Sequence, residues 1–201
     1  MDVNTVITFY GVLALVGMVI LAWYWLMGFA SLLADGVHEG FTDLRVRLTP
    51  MALTAAWSVS FLATAGSLYF SEVANYLPCT LCWYQRIAMY PLVVILGIAA
   101  VRRDTGIRIY AIPVAAIGAA IAAYHYLLEW FPQIDTGACS AVIPCTQVWF
   151  REFGFVSLPL LALVAFGLII TFLLIPLRSD GDGSETHAQA GDEQEDDLDE
   201  Q

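Results

Sequence analysis

Five long apolar stretches, at 6–33, 49–70, 81–101, 109–128 and 156–177, constrain this chain more than any other feature of it. A bilayer interior has no water to satisfy backbone N–H and C=O groups, so a spanning segment must satisfy them internally, as a helix does. Each stretch approaches or exceeds the ~20 residues that cross ~30 Å of hydrocarbon. With 59% hydrophobic residues and a mean hydropathy of +0.71, a soluble globular domain is excluded. Five transmembrane helices are expected. The third is the marginal one, because its uninterrupted part, 87–101, rises only ~23 Å at ~1.5 Å per residue. Spanning therefore draws Arg86 and the neighbouring cysteines into the outer edge of the bilayer, where a charged side chain is a functional-site candidate. The first stretch is expected to be a retained helix: Asp2 and the lack of a positive charge ahead of it do not suit a signal peptide, nor does its length.

All eight basic residues are arginines. Arg45 and Arg47 lie between the first two stretches, Arg102, Arg103 and Arg108 between the third and fourth, and Arg178 after the fifth. Only Arg86 and Arg151 fall in the other connections. The bias puts the N-terminus outside, the C-terminus in the cytoplasm, and all four cysteines on the extracytoplasmic side, where disulfides persist. Ten of the 19 acidic residues fall in 179–201, which has no apolar periodicity and is expected to be a disordered, solvated cytoplasmic tail. No exposed basic cluster points to nucleic acid.

The cysteines carry the chemistry. Cys79-Thr-Leu-Cys82 precedes Arg86 by four residues. Pro78 suits a first helical position, which places both cysteines in the first turns, where orphan N–H groups and the helix dipole favour a thiolate. Spacings of three and four bring Cys79, Cys82 and Arg86 to one face. The plain competitor is a structural disulfide before a helix. Cys139 and Cys145 lie in the outward loop 129–155, which is long enough to be functional. Four cysteines allow three pairings, and sequence does not choose among them, although pairing within each loop is the economical state. A zinc site of four cysteines is the alternative, disfavoured by the wide spacing of the second pair. In the same loop, 148–153 mixes aromatics with Arg151 and Glu152, suiting either a segment lying in the membrane interface or an ordinary aromatic belt. His125 and Glu129 stand four apart near the outer end of the fourth helix. The histidine can relay protons or bond a polar ligand head, whereas Glu129 fits a simple helix-end marker.

Cys79-x-x-Cys82-x3-Arg86, a later outward pair, and His125-x-x-Leu128-Glu129-x-Phe131-Pro132 ahead of Cys139 together resemble the DsbB family of membrane thiol–quinone oxidoreductases, in its short Gram-positive and archaeal form. The resemblance covers about 49–177. It implies a four-helix transmembrane bundle, to which this all-α membrane protein adds an N-terminal transmembrane helix, so that the chain divides into 1–48 (added helix and cytoplasmic loop), 49–178 (DsbB-like bundle) and 179–201 (tail). It further implies that Cys79, Cys82, Cys139 and Cys145 are catalytic, with Cys139 meeting the partner, Cys145 and Cys79 exchanging, and Cys82 donating as thiolate. Arg86, assisted by His125, would bind the cofactor, a quinone of ubiquinone or menaquinone type. The implied partner is an extracytoplasmic, thioredoxin-like (DsbA-like) thiol oxidase, and the implied role is disulfide bond formation at the cell membrane. Two other readings compete. A vitamin K epoxide reductase-like enzyme would carry its loop cysteines before the CxxC, the reverse of the order here. A non-enzymatic scaffold stapled by two disulfides would tolerate loss of Arg86.

Overall fold

In the computed structural model, which describes residues 2–33, 35–135, 137, 139 and 143–175, five helices hold most of the described residues. The expectation of a disordered tail at 179–201 lies outside the described residues. α1 (Val3–Ala30) covers the first apolar stretch. α2 (Asp35–Leu68) starts 14 residues before the expected 49 and runs through Pro50. The apolar pattern marks where a helix meets lipid, and polar contacts carry this one further. Arg47 pairs with Asp43 at 2.8 Å one turn back, and the Thr42 and Thr49 hydroxyls donate to carbonyls four residues earlier. Phe41 is buried, its ring 5.3 Å from that of Tyr24 on α1. A π-turn, Tyr69–Val73, ends α2 at the level of the first cysteine pair.

α3 (Thr80–Arg102) and α4 (Arg108–Trp130) carry Pro91 and Pro113 in their interiors, a feature membrane helices accommodate through their neighbours. α3 stops at Arg103, which takes the left-handed conformation at φ 54°. α5 (Leu158–Leu174) has 17 residues. Four of the five helices are long and apolar enough to cross a membrane, and α5 is the shorter one. Among the described residues the only β pairing is one bridge between Glu152 and Val156, just ahead of α5.

α2, α3, α4 and α5 pack in a ring, each against the next, and α1 lies outside it against α2 and α5. Leu92, Leu96, Ala115, Ala122, Phe166 and Ile169 fill the centre. Without a hydrophobic drive between helices in lipid, close approach at small residues holds such a bundle. Gly118 and its neighbours Ala115 and Ala122 show the device: the Phe166 ring of α5 occupies the space that a Cβ at 118 would need.

The two ends of the bundle differ in chemistry. At one end Arg45 donates from Nη2 to the carbonyls of Leu174 (2.7 Å) and Ile175 (3.1 Å), a cation on the orphan carbonyls of a helix C-terminus. The turn carrying Arg102, Arg103 and Arg108 lies at that end too. All four cysteines gather at the other, where Cys79, Cys82, Cys139 and Cys145 share one apolar cluster with Leu81 and Leu128.

Candidate functional site

α3 begins at Thr80, two residues later than Pro78 would allow, and Cys79 is its N-cap. A helix opening at Pro78 would need Leu77 as its cap, a residue with no acceptor. The Cys79 sulfur instead accepts the Cys82 N–H at 3.3 Å, the place an N-cap oxygen usually takes. Only Cys82 of the pair lies inside the helix. The two sulfurs stand 2.8 Å apart, with Cys79 buried and Cys82 half-buried.

His125, on α4, is buried against this cap. Its Nε2 lies 3.1 Å from the carbonyl oxygen of Cys145 and 3.7 Å from the Cys79 sulfur, and its Nδ1 lies 3.0 Å from Nε2 of Gln85. A carbonyl only accepts, so Nε2 carries the ring proton. In the neutral ring Nδ1 then accepts, and the Gln85 amide N–H is the donor that fixes this tautomer. Gln85, buried on α3, is a residue the sequence reading missed. Its only signal was a polar side chain three positions after Cys82, inside an apolar helix.

Cys79 lies just ahead of the span, and its pKa is lowered below the ordinary thiol value. The hydrogen bond from the Cys82 thiol contributes most, burial opposes it, and the His125 ring and the Cys82 N–H add further stabilisation. These stabilising groups lie around Cys79, the residue that caps α3.

Cys139 and Cys145 are joined as a disulfide with a Cα–Cα distance of 5.8 Å. Cys145 is buried beside Cys79, and Cys139 is half-buried. Beside the first pair, a space of about 10 Å³ is lined by Cys79, Cys82, His125, Glu129 and Pro144 among others, room for about one water. The loop is anchored at its far end, where Glu129 accepts a hydrogen bond from Ser157, the residue that opens α5. Glu129 is therefore an internal tie, not a bare helix-end marker. The 148–153 segment forms no interfacial helix. Trp149 stacks on Tyr76 (centroids 4.9 Å, planes 11° apart), Phe150 packs on Phe70 at 5.4 Å, and the Arg151 guanidinium lies 4.2 Å from the centre of the Trp130 ring.

On its other side, Cys82 borders a much larger cavity of about 220 Å³. Gln85 and Arg86 share that border, while Tyr76 and Trp149 stand at its outer end. Arg86 donates from Nε to the Ser67 hydroxyl (3.0 Å) and from Nη2 to the Ser67 carbonyl (3.1 Å), and its guanidinium lies 5.2 Å from the centre of the Trp83 ring. Among the described residues the one ion pair is that of Arg47 with Asp43, so Arg86 brings a positive charge to the cavity without a carboxylate to neutralise it. His125 does not line this cavity. The two residues that the sequence reading grouped as cofactor ligands are separated: Arg86 sits with Cys82, and His125 with Cys79 and Cys145. Gln85 connects them, reaching His125 while bordering the cavity.

The cavity carries Arg86, Gln85, Ser67 and the Tyr90 hydroxyl on one side and is lined mostly by apolar and aromatic side chains elsewhere. The donor atoms of Cys79, Cys82 and His125 also lie within 4.8 Å of one another, a set that a soft metal ion would fit. A site of four cysteines is not formed, since Cys139 and Cys145 are bonded to each other.

The family model "Disulfide bond formation protein DsbB" matches residues 47–176. The "Probable disulfide formation protein C 1" of Bacillus anthracis is 47% identical over 129 residues, 64% of this chain and 93% of the relative. The "Disulfide bond formation protein C" of Bacillus subtilis is 48% identical over 124 residues, 61% of this chain and 90% of the relative. A "Probable disulfide formation protein" from Oceanobacillus iheyensis is 46% identical over 132 residues, 64% of this chain and 90% of its own length. No solved structure matches the chain. The matched region contains both cysteine pairs, Gln85, Arg86 and His125, and leaves α1 outside it; the chain belongs to the DsbB family of disulfide bond formation proteins, whose members are oxidoreductases.

Proposed function

We propose that the chain reoxidises an extracytoplasmic thioredoxin-like, DsbA-like thiol oxidase and passes the electrons to a membrane quinone of ubiquinone or menaquinone type. In this reading the DsbB-like unit is 49–178, 1–48 is an addition ahead of it, and 179–201 is a cytoplasmic tail. Both cysteine pairs face the extracytoplasmic side. The observation that most supports it is the position of the first pair between two environments. Cys79 has His125 and Cys145 beside it, and Cys82 borders an apolar cavity with an unneutralised arginine.

Exchange between the pairs follows from these neighbours. A partner thiolate attacks the Cys139 sulfur, which breaks the Cys139–Cys145 bond and releases Cys145 as thiolate. Cys145 attacks Cys79 of an oxidised Cys79–Cys82 pair, and Cys82 leaves as thiolate beside the cavity. The second partner thiol resolves the mixed disulfide and frees Cys139. Cys139 then attacks Cys145 and re-forms the loop disulfide, expelling Cys79. A low-pKa thiolate is a fast leaving group, and the groups converging on Cys79 supply that property. Net, the partner gains a disulfide and Cys79 and Cys82 are left as a dithiol.

A quinone held at Arg86 supplies the two-electron, two-proton sink that side chains lack. Arg86 would hold it through its charge and remaining N–H donors, while the apolar walls exclude water. Cys79, already a thiolate, is poised to close its bond to Cys82 as the pair gives up its electrons.

The test is a purified system with a reduced thioredoxin-like protein and a soluble quinone. Protein dithiol and quinone should disappear in equal amounts. Arg86→Met should raise the quinone KM about tenfold, ~1.4 kcal/mol if KM tracks affinity, and weaken equilibrium quinone binding in parallel, while loss of the two bonds to Ser67 lowers the unfolding midpoint modestly. Thiol loss that does not depend on quinone would sink the reading.

A further inference from the structure

We propose that α1 forms the wall along which the apolar tail of the acceptor lies, so that the helix added to the family unit selects long-tailed, membrane-resident quinones. The inference rests on the quinone reading above and deepens it. The charged and amide side chains of the cavity gather with Ser67 at one end, at Gln85 and Arg86, while the Tyr10 and Tyr90 hydroxyls in its lining are taken up by the Leu62 carbonyl and by Ser67. From there it runs inward between α2 and α5 to Val59 and Leu168. Ser67 to Val59 is two turns of helix, ~12 Å at ~1.5 Å per residue, a length that suits the start of a prenyl chain better than a second polar group.

The side of this slot away from α3 is closed by Tyr10, Leu13 and Ala14 of α1. Two close approaches fix that wall. The Tyr10 ring occupies the space above Gly66 and its hydroxyl donates to the Leu62 carbonyl at 3.1 Å, while Val164 occupies the space at Gly17. Neither glycine position would admit a Cβ without displacing those side chains. Leu13 stands at the border, lining the cavity while 37% exposed, so a tail that leaves the slot there passes directly into lipid. Since α1 lies outside the region matched by the family, this wall belongs to the present chain rather than to the shared bundle.

The test uses the full chain and a decyl-tailed benzoquinone carrying a photoreactive diazirine at the end of the tail. Irradiation should label α1 around residues 10–14, and excess unmodified long-tailed quinone should displace the label. Leu13→Trp, which fills the border position yet remains compatible with lipid, should weaken binding of the long-tailed probe about tenfold and leave binding of a tail-less benzoquinone unchanged. Label confined to α2, α3 and α5, or a Leu13→Trp variant that binds both quinones as the parent does, would overturn the proposal. So would an equal loss for both quinones, which would mean that α1 supports the ring site and not the tail. In these three outcomes the quinone reading survives. Absence of any displaceable label anywhere would sink that reading and this inference together.

Discussion

Cys79 and Cys139 are nearest neighbours in chemistry and opposites in setting. Cys79 is fixed at the end of α3, buried, and surrounded by the Cys82 thiol, the Cys82 N–H and the His125 ring. Cys139 is in a loop, half-buried, and held by its bond to Cys145, while the loop itself is pinned by aromatic stacking at 149–150 and by the Glu129–Ser157 bond. One cysteine has its reactivity set by its neighbours; the other has its reactivity set by access. A thiol–disulfide relay needs both, because exchange depends on a good leaving thiolate and on a sulfur that a partner can reach.

The largest expected effect breaks the comparison at its accessible end. Cys139→Ser should reduce oxidation of a protein partner to background, while a small dithiol continues to reduce quinone through Cys79 and Cys82. Normal oxidation of the protein partner by this variant would show that access is not the property that the loop supplies.

The next test titrates the buried end. A pKa held below the ordinary thiol value keeps Cys79 ionised where a free thiol is protonated, and the charge is lost only as pH falls through that lowered value. In fully reduced protein, alkylation of Cys79 should fall less between pH 8 and pH 5 than that of an unperturbed thiol, which with a pKa near ~8.5 slows about tenfold per pH unit. Cys82→Ala should move the Cys79 profile to higher pH by more than His125→Phe does, since the Cys82 hydrogen bond is the larger cause. Mass spectrometry of the alkylated peptides reads all of these. Parallel profiles for Cys79 and Cys139 would erase the distinction drawn here.

The smallest effect concerns the anchor. Ser157→Ala removes the donor to Glu129 and should cost about 1 kcal/mol of stability, read as a lower unfolding midpoint in detergent. The KM for the protein partner should rise and the quinone KM should not. A change in the quinone KM alone would mean that the tie supports the cavity and not the loop.

Much of this protein follows from short-range pattern. Apolar run lengths gave the helices, because a bilayer imposes a length that sequence states directly. Arginine placement separated the two ends, and the CxxC with Arg86 four residues on falls where α3 borders the cavity. The start of α2 was not legible, since Phe41, Arg45 and Thr49 find their partners on α1, on α5 and in their own backbone, beyond any apolar count. Nor was the start of α3, where a proline suggested one cap and a cysteine sulfur provides another.

By itself, then, the sequence determined which side chains could do redox chemistry and that they share one end of a membrane bundle. Only the tertiary structure decided which cysteine the thiolate-stabilising groups surround, that His125 lies beside Cys79 and Cys145 while Arg86 borders the cavity, and that Gln85 touches both. It also decided that α1 closes the cavity. The physical reason is common to all four. Hydrogen-bond direction, desolvation and cavity walls depend on distances between residues tens of positions apart, and helical periodicity orders neighbours only within one helix.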